Sequence, residues 1–184
     1  MDRSLIGSLS AVDFAYILYL LLKEKGYAPA FIERAVRKWY VMSVLTERYT
    51  NSPETAIDQD VRMIDSVGFD RYSEDTYAGA LSDTFWEIAL PQALAVPATT
   101  SPFFRVFRAA QAKLEHRGFL SKDITVKSLI GIKSDLHHIF PRHVLKKAGM
   151  TRSQYNQVAN LAVCQSEINL AIGTKEPKVY LGQM

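Results

Sequence analysis

The chain has 184 residues, enough for one ordinary domain or one domain with a small appendage. Hydrophobic residues make up 48% and charged residues 22%, a globular composition that excludes disordered and fibrous classes. A single cysteine, Cys164, excludes an internal disulfide framework and a cysteine-rich zinc site, and fits a reducing cytoplasmic setting.

The first residues, Met1 to Ser10, lack the basic-then-apolar pattern of a secretory leader. Ser10 is placed to cap a helix from Ala11 to about Lys25, stopped by Gly26. Its apolar run, Phe14 to Leu22, is far short of the roughly 20 residues a membrane span requires, so a buried core helix is expected and no membrane contact. Pro29 suits the first turn of a second helix running towards Tyr49, with Phe31, Ala35, Trp39, Met42 and Leu45 at helical spacing. A third helix is expected from Glu54 to about Val67, with Ile57, Val61 and Ile64 on one face and Gly68 at its end. Ser73 to Leu94 reads as one or two further helices, with Pro91 setting a kink or break. Ala95 to Pro102 is the best linker candidate. Phe103 to Glu115 then reads as a helix burying Phe103, Phe107, Ala110 and Leu114, ended near Gly118.

Beyond Gly118 the texture changes to short β-branched stretches, Asp123-Ile-Thr-Val and Ser128-Leu-Ile-Gly-Ile. Charge changes too: residues 1–101 carry a net −5, whereas residues 102–184 carry +8. All four histidines, His116, His137, His138 and His143, lie in the basic part. Such a part suits a polyanion, because neutralised phosphates supply most non-specific nucleic-acid affinity; a solvated basic surface is the plain alternative. The division expected is therefore an acidic helical region, 1–101, followed by a basic region, 102–184.

The residues that carry chemistry are Asp135-Leu-His137-His138-Ile-Phe-Pro141-Arg142-His143, then Asn156-Gln-Val-Ala-Asn160-Leu-Ala-Val, then Ser166-Glu-Ile-Asn169. Adjacent histidines in an extended segment point to opposite sides, so one can face a metal and the other a substrate. Asn160-Leu-Ala-Val-Cys164 has the content of a short strand, and Ser166 is placed to cap a helix with Asn169 in its first turn. Strand, loop, strand and helix are the expected local order. Cys164 and Tyr155 are expected to pack rather than react, and His116 to end a helix.

This text resembles the HNH, or His-Me finger, endonuclease motif of the ββα-metal kind. More narrowly, DLHHIFP, NQVANLA, SEIN and the closing IGTKEPKVYL resemble the C-terminal region of GmrSD-type modification-dependent restriction endonucleases, and LTERYTNSPETAIDQDVR resembles the helical region before the nuclease motif in such proteins. The resemblance implies an α+β, predominantly α-helical chain: an N-terminal helical bundle followed by a small ββα-metal nuclease motif. It implies His137 and Asn169 as metal ligands, His138 as general base, and Asn160 as the residue that ties the loop. Asp135 is a candidate extra ligand or a partner that orients a ligand from behind, and Arg142 and His143 are candidates to contact phosphate.

One divalent ion is implied. Asn rather than His at 169 supplies a hard oxygen, which favours Mg2+ or Mn2+. The expected function is hydrolysis of DNA phosphodiesters in restriction or antiviral defence. The implied partners are DNA and, in related proteins, an N-terminal ParB-like nucleotide-hydrolysing domain. The alternative is a catalytically inactive nucleic-acid-binding or interaction module on the same scaffold.

Overall fold

The computed structural model describes residues 8–95, 101–132 and 134–182. Most of the linker expected over Ala95 to Pro102 lies on residues 96–100, outside the described residues. The described chain is predominantly helical with one two-stranded antiparallel sheet, an α+β arrangement. Among the described residues no helix is long and apolar enough to cross a membrane. Two compact units form: residues up to Pro91 together with Ser101 to Val106, and Gln92 to Ala95 together with Phe107 onward. The chain passes from the first unit to the second after Pro91 and again after Val106.

The first unit contains α1 (Leu9–Glu24), α2 (Pro29–Leu45), α3 (Pro53–Val67) and α4 (Phe69–Ala80). Ser8, not Ser10, caps α1: it is extended, and its side chain accepts from the Ala11 N–H at 3.3 Å, satisfying one of the orphan donors of the first turn. The helix α2 stops at Leu45 rather than near Tyr49. Thr46 Oγ1 bonds back to the Met42 carbonyl at 2.9 Å, and Glu47 takes a left-handed φ of 54°. The core brings together Phe14, Leu18 and Leu22 of α1, Ile32, Trp39 and Met42 of α2, Ile64 of α3, and Phe69 and Tyr72 of α4. Phe14 lies 5.7 Å from Trp39 and 5.2 Å from Tyr49, within the range in which tilted ring pairs attract.

One carboxylate is sealed inside this apolar core. Asp60 on α3 is 0% exposed. Its Oδ2 accepts from Arg48 Nε at 2.9 Å and Tyr49 OH at 2.6 Å; its Oδ1 accepts from Arg48 Nη2 and from Tyr72 OH at 2.6 Å. Trp39 Nε1 donates to Tyr49 OH at 2.9 Å, extending the network. A buried charge is tolerated only when paired and hydrogen-bonded in this way. The early end of α2 is what turns Arg48 and Tyr49 towards Asp60.

The irregularity expected at Pro91 is a π-helical turn, Phe85–Ala89, running into α5 (Leu90–Leu94). Proline lacks an N–H and crowds the carbonyl four residues back, and the wider π turn relieves both. The next helix, α6 (Pro102–Lys113), buries Phe104 rather than the expected stripe, and Leu114, just past its end, is 66% exposed. Glu115 follows with a φ of 53°, which ends the helical register before Leu114 could turn inward.

In the second unit, the β-branched stretch after Gly118 makes one isolated bridge, Arg117 to Thr125, and then the helix α7 (Val126–Gly131). Thr125 caps α7, its hydroxyl accepting from the Ser128 N–H at 3.3 Å, so local capping prevails over β propensity here. The strands are β1 (Ser134–His138) and β2 (Leu161–Gln165), paired antiparallel with Asp135 opposite Cys164 and His137 opposite Ala162. Between them lie α8 (Arg142–Lys147), α9 (Arg152–Tyr155) and a 3-10 turn, Val158–Asn160. After β2 come α10 (Ser166–Ile172) and α11 (Pro177–Leu181). One face of the sheet packs Leu136 and Val163 against Val126 and Leu129 of α7. On the other face α10 lies across both strands.

Candidate metal and phosphodiester site

Alternation along β1 sorts its side chains. Leu136 faces the small α7 core, so Asp135 and His137 share the opposite face, where α10 delivers Asn169. His137 Nδ1 and Asn169 Oδ1 are 2.8 Å apart. Asn169 Nδ2 donates to Asp135 Oδ2 at 3.1 Å. A carboxylate oxygen only accepts, so this second bond fixes which way the Asn169 amide points. Its carbonyl oxygen is therefore turned to His137, and Nδ1 of His137 carries the proton.

The His137 ring is held on both sides. Phe119 stacks on it at 5.7 Å, and the Tyr180 edge meets it at 5.9 Å. The Tyr180 hydroxyl donates to the Ile139 carbonyl, tying α11 to the loop after β1. Phe119 reaches its place because Gly118 has no side chain: a Cβ there would come within 2.5 Å of Leu129 Cδ1. That closeness lets the Phe119 N–H donate to the Val163 carbonyl at 2.8 Å. His137 is only 6% exposed, and its Nε2 is enclosed without a hydrogen-bond partner.

His138 ends β1 on the opposite face and is half-buried. Its Nε2 is 2.8 Å from Asn156 Oδ1. Burial above all lowers its pKa below the ordinary histidine value; the charges of Arg142 and His137 act in the same direction, and the Asn156 bond opposes them. The imidazole is therefore neutral near pH 7 and able to accept a proton.

Asn160 is a clamp. Its Oδ1 accepts from the Phe140 N–H at 2.7 Å, and its Nδ2 donates to the Phe140 carbonyl at 3.1 Å and the Tyr155 carbonyl at 2.8 Å. The Ile139 N–H also donates to the Asn160 carbonyl at 2.9 Å. One side chain thus fixes both the loop after His138 and the turn that carries Asn156.

Arg142 is exposed at the start of α8, near enough to His138 to bear on its charge. His143 is exposed as well, and its charge bears on Glu176 instead of the histidine pair. Ser166 does not cap α10: the cap position is Gln165, and Ser166 Oγ is buried without a partner, because β2 runs one residue further than its apolar text suggests. Cys164 is fully buried, with its thiol pushed up to about 11 by burial and by the Asp135 charge. Tyr155 is buried, and His116 is exposed beyond α6.

A cation could enter this face only by replacing the hydrogen bond between His137 and Asn169, with the His137 proton leaving Nδ1 for Nε2. Adjacent ligands of an octahedral Mg2+ with bonds near 2.1 Å lie about 3 Å apart, close to the spacing of His137 Nδ1 and Asn169 Oδ1. Among the described residues no three His, Cys, Asp or Glu side chains gather as a cage. The donors available are one imidazole, one amide and the Asp135 carboxylate, a set rich in hard oxygen. Two residues with positions in this site carried no role in the sequence reading: Asn156 and Phe119. Asn156 lies within the NQVAN text, but only the fold brings it to His138.

Compared with protein-family models, curated proteins and solved structures, the chain matches none.

Proposed function

We propose that the second unit is a metal-dependent phosphodiesterase of the HNH kind that cuts DNA, as part of a restriction or defence system. The observation that carries this reading is the convergence of His137, Asn169 and Asp135 on one face of β1, with His138 held on the other. In-line displacement at phosphorus needs the nucleophile and the leaving oxygen on opposite sides. Groups on opposite faces at one strand end suit that demand.

His138 takes the proton from a water as its oxygen bonds to phosphorus, and the bond to the 3′ oxygen breaks. A neutral imidazole is required for that step, and burial keeps His138 neutral. His137, with its proton moved from Nδ1 to Nε2, and Asn169 would hold the divalent ion, with Asp135 orienting the amide. When bound, such an ion supplies charge stabilisation for the phosphorane and the departing oxygen. Asn160 holds the base loop in register. Arg142, with Lys146, Lys147 and Arg152 exposed on α8 and α9, provides cations for the phosphate backbone.

The test is nicking of supercoiled plasmid with Mg2+ or Mn2+. Wild-type chain should nick and His138→Ala should not, with an unchanged circular dichroism spectrum. Undiminished nicking by His138→Ala would remove it as base. Salt-sensitive DNA binding without nicking, on plain and modified DNA alike, would replace the enzyme reading with a binding module.

A further inference from the structure

The two adjacent histidines are set in opposite tautomers by two different asparagines. At His137 the proton is on Nδ1, because Asn169 offers an oxygen there and Asp135 fixes that oxygen's direction. At His138 the contact is to the other nitrogen: Nε2 meets Asn156 Oδ1 at 2.8 Å. An amide oxygen only accepts, so Nε2 carries the proton and Nδ1 keeps its lone pair. Nδ1 makes no hydrogen bond among the described residues and is not enclosed, so water reaches it.

We infer that Asn156 is a positioning residue that selects the Nε2–H tautomer of His138 and so leaves Nδ1 as the nitrogen that takes up a proton. The inference rests on the nuclease reading for what that proton does, but the tautomer itself does not. The construction around Asn156 supports it. Asn156 follows α9, a single turn held by a reciprocal cap between Thr151 and Gln154, with the Thr151 N–H donating to Gln154 Oε1 at 2.8 Å. The preceding residue, Tyr155, is buried and its carbonyl is held by Asn160 Nδ2. The same Asn160 holds both backbone polar groups of Phe140, two residues after His138. Asn160 therefore fixes the base loop and the Asn156 turn against each other. The distance between Asn156 Oδ1 and His138 Nε2 is set by a shared clamp rather than by a free loop. A histidine in the wrong tautomer presents a donor where a base is needed, and such an error costs a triad enzyme about 10⁴ in rate.

The experiment is long-range 15N–1H correlation of the histidine rings in the metal-free full chain, at a pH where both are neutral. His138 should show a protonated-type Nε2 and an unprotonated-type Nδ1, and His137 the reverse. Asn156→Ala should move His138 towards a mixture and Asn156→Asp, which keeps an accepting oxygen, should restore it. Nicking should fall about 10- to 100-fold in Asn156→Ala, the range seen when a histidine loses its orienting partner. A wild-type His138 with its proton on Nδ1 overturns the inference, with no variant needed. So does an Asn156→Ala ring spectrum identical to wild type. A chain with the stated tautomers that never nicks DNA overturns the nuclease reading and supports the tautomer assignment. A nicking chain with His138 protonated at Nδ1 does the opposite.

Discussion

Asp135 Oδ2 accepts from Asn169 Nδ2 at 3.1 Å, and that single bond decides that the Asn169 oxygen, not its nitrogen, faces His137. The relationship spans 34 positions and links a strand to a helix. It turns a reversible amide into a directed oxygen donor.

Removing that direction should weaken metal binding. Asp135→Ala leaves the amide free to rotate and deletes the carboxylate it bonds. Affinity for Mn2+, measured by calorimetry on the full chain, should fall about 10- to 100-fold, as for loss of outer partners at other metal sites. Asp135→Ala with unaltered affinity would separate the carboxylate from the metal reading.

The sealed carboxylate of the first unit should be costly to lose. Asp60→Ala leaves the Arg48 guanidinium and two tyrosine hydroxyls facing each other without their acceptor. Breaking a buried pair from one side costs about 3–5 kcal/mol. Urea unfolding followed by Trp39 fluorescence should show the loss, because Trp39 belongs to the same network. A cost under 1 kcal/mol would mean that water replaces the carboxylate.

Gly118→Ala should destabilise the second unit. The added methyl meets Leu129 Cδ1 at 2.5 Å, so Leu129 must leave its rotamer or the backbone must shift. Overpacking of this kind costs about 1–3 kcal/mol. Because Phe119 follows directly and stacks on His137, the His137 ring resonances should move with the loss of thermal stability. A melt unchanged from wild type would show that the site yields freely.

Alkaline pH should unfold the chain while neutral pH should not. Cys164 is pushed up to about 11 and Tyr77 to about 12, in both cases chiefly by burial. Burial also raises Tyr49, with Asp60 adding to it. Each group is held in its protonated form by the fold. The stability this represents is intact below the unfolded values, near 9 for the thiol and 10 for the phenols. It is lost as pH rises from there through the folded values. The melting temperature should therefore be flat around neutrality and fall between about pH 9 and 12, the window that Cys164 and Tyr77 span. In the same buffers Cys164 should resist alkylation by iodoacetamide until the melt begins; rapid alkylation at pH 8 would place the thiol outside the core.

Helical periodicity located α1, α2 and α3, because burial of a stripe is a local, repeating requirement. The text from Asp135 to Asn169 likewise marked out strand, strand and helix, along with the His and Asn side chains that meet there. Other features depended on partners remote in the chain. The contacts that Arg48 and Tyr49 make beyond the end of α2 are with Asp60, 12 and 11 residues away.

The sequence by itself determined the helical class, the split in charge, and the residue types able to hold a cation and accept a proton, since composition and period are properties of the chain alone. The tertiary structure alone decided which nitrogen of each histidine meets an asparagine, that Asn156 rather than any neighbour meets His138, and that Phe119 and Tyr180 hold His137. A hydrogen bond is a matter of tenths of an ångström and of direction, and for residues 18 and 32 positions apart only the packed fold fixes either.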